Sequence, residues 1–164
     1  MKKIILAGGC FWGVEAYFQR LKGIIDTEVG YTDGPTPNPS YKDVCNESGH
    51  VEAVKLVYDE TTIPLTKVLE HFFRIIDPTE FNKQAHDVGI QYRNAIFYED
   101  AADVPIIFEF LEKAQANYRK KIRTYVKEVN PFYPAEGYHQ DYLIKNPTGY
   151  CHVNMHLAKP EELK

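Results

Sequence analysis

Apolar residues fall in short runs along the chain, and their spacing switches between the period of a strand and that of a helix. Lys2 to Ala7 ends in the unbroken run Ile4-Ile5-Leu6-Ala7 and predicts a short buried strand that stops at Gly8-Gly9. Val14, Tyr17, Phe18 and Leu21 recur at helical spacing and predict a helix over 14–21. Ile24 to Tyr31 alternates, with Ile25, Thr27, Val29 and Tyr31 on one face and Asp26 and Glu28 on the other, which predicts a strand. Pro35, Pro37 and Pro39 make 32–41 an irregular loop, because proline cannot donate to a ladder. Val51 to Tyr58 predicts a further strand with Val54, Leu56 and Tyr58 on the face that also carries Glu52. Pro64 suits the first turn of a helix striped by Val68, Leu69, Phe72, Phe73 and Ile76. Gln91 to Tyr98 predicts another strand. Asp103 then stands as an N-cap, with Pro105 in the first turn of a helix carrying Ile106, Ile107, Phe110, Leu111 and Ala114.

The order strand, helix, strand, strand, helix, strand matches a split β-α-β unit of ferredoxin-like type, an α+β sandwich. From Pro131 onward, prolines, glycines and tyrosines predict a long, mostly irregular C-terminal wrap over 131–164. A length of 164 residues fits one domain, and no repeat, low-complexity tract or linker divides it.

Charge narrows the partners. A net charge of -4 argues against nucleic acid, which demands a basic surface. The one basic run, Arg119-Lys120-Lys121-Ile122-Arg123, is expected to close the last helix, where cations suit the dipole. The apolar run after Met1-Lys2-Lys3 is far shorter than the ~7–15 residues of a signal-peptide core. No apolar stretch approaches the ~18 residues that span a bilayer, so a cytoplasmic protein without membrane partners is expected. Three cysteines in such a chain do not make a disulfide framework, which leaves filler, metal ligation or redox chemistry.

Cys10 is the first candidate for chemistry. It follows a strand and two glycines and precedes a helix, whose unpaired N–H groups and dipole favour a thiolate. Phe11 and Trp12 set two large rings beside it; the alternative is a buried structural cysteine. Glu52 is the second, a carboxylate heading an apolar strand face. Burial without a cation raises a carboxyl pKa and suits a general acid, unless the side chain merely reaches water at the strand end. Tyr41, Tyr92 and Tyr150 offer hydroxyls to a substrate oxygen, or ordinary packing. Asp87 and Arg93 flank Tyr92 and either orient it, anchor the loop, or form an ion pair. Cys151 lies in a glycine-containing irregular stretch from which a thiol can approach another, whereas Cys45 carries no feature that marks it for chemistry.

Together these residues resemble a known family. Gly9-Cys10-Phe11-Trp12-Gly13, Gly49-His50-Val51-Glu52-Ala53, Asp87-Val88-Gly89-Ile90-Gln91-Tyr92-Arg93 and Gly149-Tyr150-Cys151 look like the A-type peptide methionine sulfoxide reductases, as does the proline loop ending at Tyr41. The matches run in order over almost the whole chain, and several ordered motifs are far more specific than one. The resemblance implies a single catalytic domain over 1–164, in which Cys10 attacks the sulfoxide sulfur and the ε-methyl rests on Phe11 and Trp12. Glu52 would protonate the oxygen, with Tyr41 and Tyr92 hydrogen-bonding it, since a sulfoxide oxygen leaves poorly unless protonated. Asp87 and Tyr150 would complete the substrate site. Cys10 would be left as a sulfenic acid that Cys151 converts to a disulfide, with thioredoxin or another dithiol as the external reductant and no bound cofactor or metal. The family acts on the S epimer of oxidised methionine, and a monomer is expected. Two departures stand out. Members often read Gly-Thr-Gln-Tyr-Arg-Ser where this chain has Gly89-Ile90-Gln91-Tyr92-Arg93-Asn94, and no cysteine follows Cys151.

Rival readings are a metal module, a non-catalytic ferredoxin-like ligand-binding domain and another thiol enzyme. No C-x-x-C or H-x-x-x-H spacing supports the first. A cysteine hydrolase would need a histidine base paired with Cys10, and no histidine is placed by sequence to serve.

Overall fold

The computed structural model describes residues 1–164 except 46–48, 85–86 and 130. In chain order the elements are β1 (Lys2–Ala7), α1 (Phe11–Gln19), β2 (Ile24–Thr32), α2 (Tyr41–Cys45), β3 (Val51–Tyr58), α3 (Leu65–Ile75), β4 (Lys83–Gln84) and β5 (Asp87–Val88). There follow β6 (Ala95–Tyr98), α4 (Val104–Gln115), β7 (Tyr125–Glu128), β8 (Tyr133–Pro134) and α5 (Tyr142–Lys145). The main sheet runs β7-β6-β1-β3-β2-β8, and β4 and β5 form a separate ribbon. β1 pairs antiparallel with β3 and β6, and β3 antiparallel with β2. That is the ferredoxin-like order of an α+β sandwich, extended at one edge by the parallel β7 and at the other by β8.

β1 does not alternate because both faces of the sheet are covered. Ile4 and Leu6 meet α1 and α3 in the main core with Val54, Leu56 and Phe72, while Ile5 and Ala7 join Val51, Ala53 and Phe97 on the opposite face under Val129 and Phe132. The C-terminal wrap is largely irregular, as its composition predicts, and is fastened at both ends. Asp141 N–H donates to Glu15 Oε1 at 2.9 Å, and Glu162 takes Arg74 at 2.7 Å and Lys67 at 3.0 Å. Among the described residues, no helix is long and apolar enough to cross a membrane.

Four local expectations fail for physical reasons, and a fifth, the Asp103 N-cap, holds in position but without its bond. α1 begins at Phe11, three residues before its apolar stripe, since the first turn needs only backbone geometry. Ile25 is 55% exposed because the pairing steps from Ile24↔Tyr58 to Asp26↔Val57, so Ile25 is a bulge residue that leaves the face of Val29 and Tyr31. β6 starts only at Ala95. Before it, Tyr92 N–H bonds Gly89 O at 3.0 Å and Arg93 bonds Ile90 O at 2.8 Å, closing a 3-10 turn over Ile90–Tyr92. α4 ends at Gln115, whose side chain bonds Lys120 O and Ile122 N at 2.9 Å each, so the basic run lies in irregular chain beyond the helix. Asp103 holds the N-cap position without a capping bond, its carboxylate being taken by Lys2 at 3.0 Å.

Candidate active site

Cys10 occupies the N-cap position of α1, without a side-chain capping bond, and is 8% exposed. The turn into it needs Gly9, whose φ of +85° is costly for any side chain and whose missing Cβ would fall 2.8 Å from Gln84. The Trp12 N–H of the helix end does pull the thiol pKa down, as helix geometry dictates, but it is overruled. Burial, then the charges of Glu52 and Asp87, push the Cys10 thiol well above its ordinary value. The resting group is therefore a protonated thiol, not the thiolate that position alone suggests.

Glu52 is 1% exposed and does not reach water at the strand end. β3 aims it at the same face as Val54, where the Phe11 N–H donates to Oε1 at 3.2 Å while Oε2 is buried with no partner among the described residues. Burial pushes its pKa up to about 8, against the Phe11 hydrogen bond and with help from Asp87. At neutral pH it is a carboxylic acid with a proton to give. Tyr41, at the start of α2, and Tyr92, in the 3-10 turn, are both half-buried. Burial first and the Glu52 charge second raise both phenols far above the ordinary range, so they remain O–H donors. The charge of Glu52 thus acts on Cys10, Tyr41 and Tyr92 alike, and Tyr92 also feels Asp87 and, less strongly, Cys10.

Of the two rings, only Trp12 keeps partial exposure; Phe11 is 1% exposed and packs on Tyr31 at 5.7 Å, so it floors the site rather than facing solvent. Trp12 is held flat by a 3.7 Å stack on Tyr142 and by its indole N–H donating to His139 Nδ1 at 3.0 Å. Asp87 accepts from the Tyr150 hydroxyl at 2.9 Å. Arg93 does not pair with Asp87. It bonds Asp33 at 2.9 Å and Gly49 O at 3.2 Å, pinning the proline loop and the start of β3. His50 completes that clamp, accepting from Gly34 N–H at 3.1 Å and donating to Thr36 O at 2.6 Å.

Cys151 is half-buried, and its Sγ lies 3.1 Å from where a Cβ of Gly13 would stand, one turn of α1 from Cys10. All three cysteines are free, and Cys45 is exposed. Among the described residues, no cluster of three or more His, Cys, Asp or Glu side chains is arranged to hold a metal ion.

Some contributors carry no sequence signal. Glu136 accepts from the Tyr31 hydroxyl at 2.9 Å and the Tyr41 N–H at 3.1 Å, so it sets where α2 starts. Burial pushes its pKa up, but these bonds outweigh it and keep Glu136 ionised below the usual carboxylate range. His139 and Tyr142 position Trp12 from the wrap.

A thiol that waits protonated beside an acid still holding its own proton belongs to a thiol enzyme that must protonate what it attacks. The comparisons with known proteins agree on which one. The family model for peptide methionine sulfoxide reductase matches residues 2–164, and the chain belongs to that family. It is 53% identical over 156 residues to "Peptide methionine sulfoxide reductase MsrA" of Clostridium botulinum, covering 94% of this chain and 99% of the relative. Among solved structures, Mxr1 of Saccharomyces cerevisiae in reduced form superposes with TM-score 0.87 at 37% identity, covering 93% of this chain and 91% of that one. The same yeast protein in complex with Trx2 matches at TM-score 0.62 and 27% identity, over 86% and 84% of the two chains.

Proposed function

We propose that the chain is a peptide-methionine (S)-S-oxide reductase in which Cys10 attacks the sulfoxide sulfur and Glu52 protonates the oxygen. The observation that carries this reading is Glu52: 1% exposed, protonated up to about 8, with Oε1 fixed by Phe11 N–H and Oε2 unpartnered among the described residues. An acid so placed within the field of a buried thiol answers the one difficulty of the reaction, a poor leaving oxygen. The Cys10 sulfur bonds the substrate sulfur while Glu52 delivers its proton to oxygen. Oxygen then passes to Cys10 as a sulfenic acid, methionine leaves reduced, and the thiol's own proton restores Glu52. Tyr41 and Tyr92, held as O–H groups, donate to the same oxygen. The ε-methyl rests against Trp12 above Phe11, and the Asp87–Tyr150 pair forms the rim of the substrate site.

Cys151 then condenses with the Cys10 sulfenic acid, and thioredoxin reduces the disulfide by exchange. The complex of the yeast relative with Trx2 supports that partner. No bound cofactor is required beyond the external dithiol, and residues 1–164 act as one catalytic unit, a monomer in the cytoplasm. The test is single turnover with N-acetyl-methionine sulfoxide without reductant. About one methionine per enzyme should form, because one sulfenic acid is made, and none with Cys10→Ser. Normal methionine formation by that variant would end the proposal.

A further inference from the structure

The segment that carries Cys151 is mostly irregular, yet the tripeptide Cys151-His152-Val153 is seated on the turn that carries Cys10. His152 Nε2 lies 3.0 Å from the Gly8 carbonyl oxygen, across 144 residues of sequence. The same nitrogen stands 3.0 Å from the vacant Cβ position of Gly9. On the other side of Cys10, Cys151 Sγ and Val153 Cγ2 lie 3.1 and 3.0 Å from the vacant Cβ position of Gly13. Val153 is 7% exposed, so this seat is packed and not a passing contact. The nucleophile is thus bracketed: His152 grips the chain before it and Cys151 rests on the helix turn after it.

We propose that His152 is the positioning residue that docks the second cysteine, its Nε2–H bond to the Gly8 carbonyl holding Cys151 in register with Cys10. This rests on the reading of Cys151 as the partner thiol. A carbonyl only accepts, so Nε2 carries the hydrogen and Nδ1 is a bare lone pair, buried and without a partner among the described residues. The uncharged ring fits this seat; an imidazolium would bury a second N–H with nothing to receive it. Burial correspondingly lowers the His152 pKa, against the Gly8 carbonyl and Asp87, the charged group that acts on it. The step being positioned is Cys10–S–OH plus Cys151–SH giving Cys10–S–S–Cys151 and water. A sulfur–sulfur bond forms, the Cys10 S–O bond breaks, and the hydroxyl leaves with the Cys151 proton. Cys10 sulfur is reduced and Cys151 sulfur oxidised, so no outside reactant is needed. Before it reacts, Cys151 must release its own contact, Sγ donating to Val153 O at 3.3 Å.

The test compares wild type, His152→Phe and His152→Gln in the full chain, following methionine release, disulfide formation by mass spectrometry and sulfenic acid by dimedone trapping. For His152→Phe, methionine release in the first turnover should keep its wild-type rate, while disulfide formation slows about tenfold, the worth of one buried hydrogen bond. Dimedone-trapped Cys10 should accumulate. His152→Gln, which keeps an N–H at that reach, should recover most of the rate, a rescue that a space-filling role would not give. Wild-type disulfide formation by His152→Phe, no difference between Phe and Gln, or an equal slowing of methionine release would overturn the assignment. If Cys151→Ser still formed an intramolecular disulfide on turnover, the failure would lie in the reading of Cys151 and not in His152.

Discussion

Glu52→Gln is the sharpest perturbation the site offers, because it removes one proton and little else. The amide oxygen can still accept from Phe11 N–H, now 3.2 Å from Oε1, and the side-chain volume is unchanged. Loss of a positioned general acid costs ~10²–10⁴ in rate. The chemical step measured by rapid quench with N-acetyl-methionine sulfoxide should fall by that factor. Its pH profile should change as well. In the wild type the protonated fraction of Glu52 declines above about 8, so the rate should drop about tenfold per pH unit beyond that point. In Glu52→Gln that limb should vanish. The same shift makes a stability statement with a fixed sign. A folded pKa of about 8 against an ordinary value of 4.5 means the bound proton stabilises fully below 4.5, and that stabilisation is lost as pH rises through 8. At roughly 1.36 kcal/mol per unit, the difference approaches about 5 kcal/mol above pH 8. Glu52→Gln should therefore lose far less stability than wild type in urea titrations between pH 5 and 9. A rate within a few-fold of wild type, or an alkaline limb near 8 that survives the substitution, would refute Glu52 as the proton donor.

Three other substitutions address the walls of the site. Trp12→Phe loses the indole bond to His139 and part of the stack on Tyr142, and should lower kcat/KM about tenfold, mainly through KM, in steady-state assays with methionine sulfoxide. Glu136→Gln weakens the charge-assisted bonds from Tyr31 and Tyr41. It should cost about 1–3 kcal/mol in thermal or urea unfolding and lower kcat through a misplaced Tyr41. Gly13→Ala favours the helix by about 1 kcal/mol but places a methyl 3.0–3.3 Å from Val153 and Cys151 Sγ. Methionine release in the first turnover should persist while Cys10–Cys151 disulfide formation slows, measured by quenched thiol counting.

What the sequence reveals about this protein follows from how local each cause is. Glu52's face is legible because strand alternation binds it to Val54, Leu56 and Tyr58, and all four are buried. Cys10 at a helix start is legible from the glycine pair and the apolar spacing after it. The bulge at Ile25 is not, since a two-against-one pairing depends on the neighbouring strand and leaves the residue spacing untouched. Glu136, His139 and His152 act on partners 95, 127 and 144 residues away, and no window of sequence contains both ends. The Cys10 thiol shows the limit from the other side. Its helix-end position is readable, but its acidity is decided by burial and by Glu52 and Asp87, which only the folded chain brings near it.

Two buried glutamates differ in how their oxygens are engaged, and that difference bears on the role proposed for Glu52. Glu15 and Glu52 are each 1% exposed, and burial pushes their pKa values up to about 7 and about 8. Glu15 has both oxygens occupied, by the Thr27 hydroxyl and the Asp141 N–H at 2.9 Å each, so its bonds are spent joining α1 to β2 and to the C-terminal wrap. Glu52 has one oxygen fixed and the other without a partner among the described residues. Leaving a buried polar atom unpaired costs about 1–3 kcal/mol. In the proposed reaction, a substrate oxygen above Cys10 would meet that position as an O–H donor and supply the hydrogen bond it lacks in the resting enzyme. By the same measure Glu15→Gln should leave the alkaline limb of the chemical step in place, which makes it the natural control for Glu52→Gln.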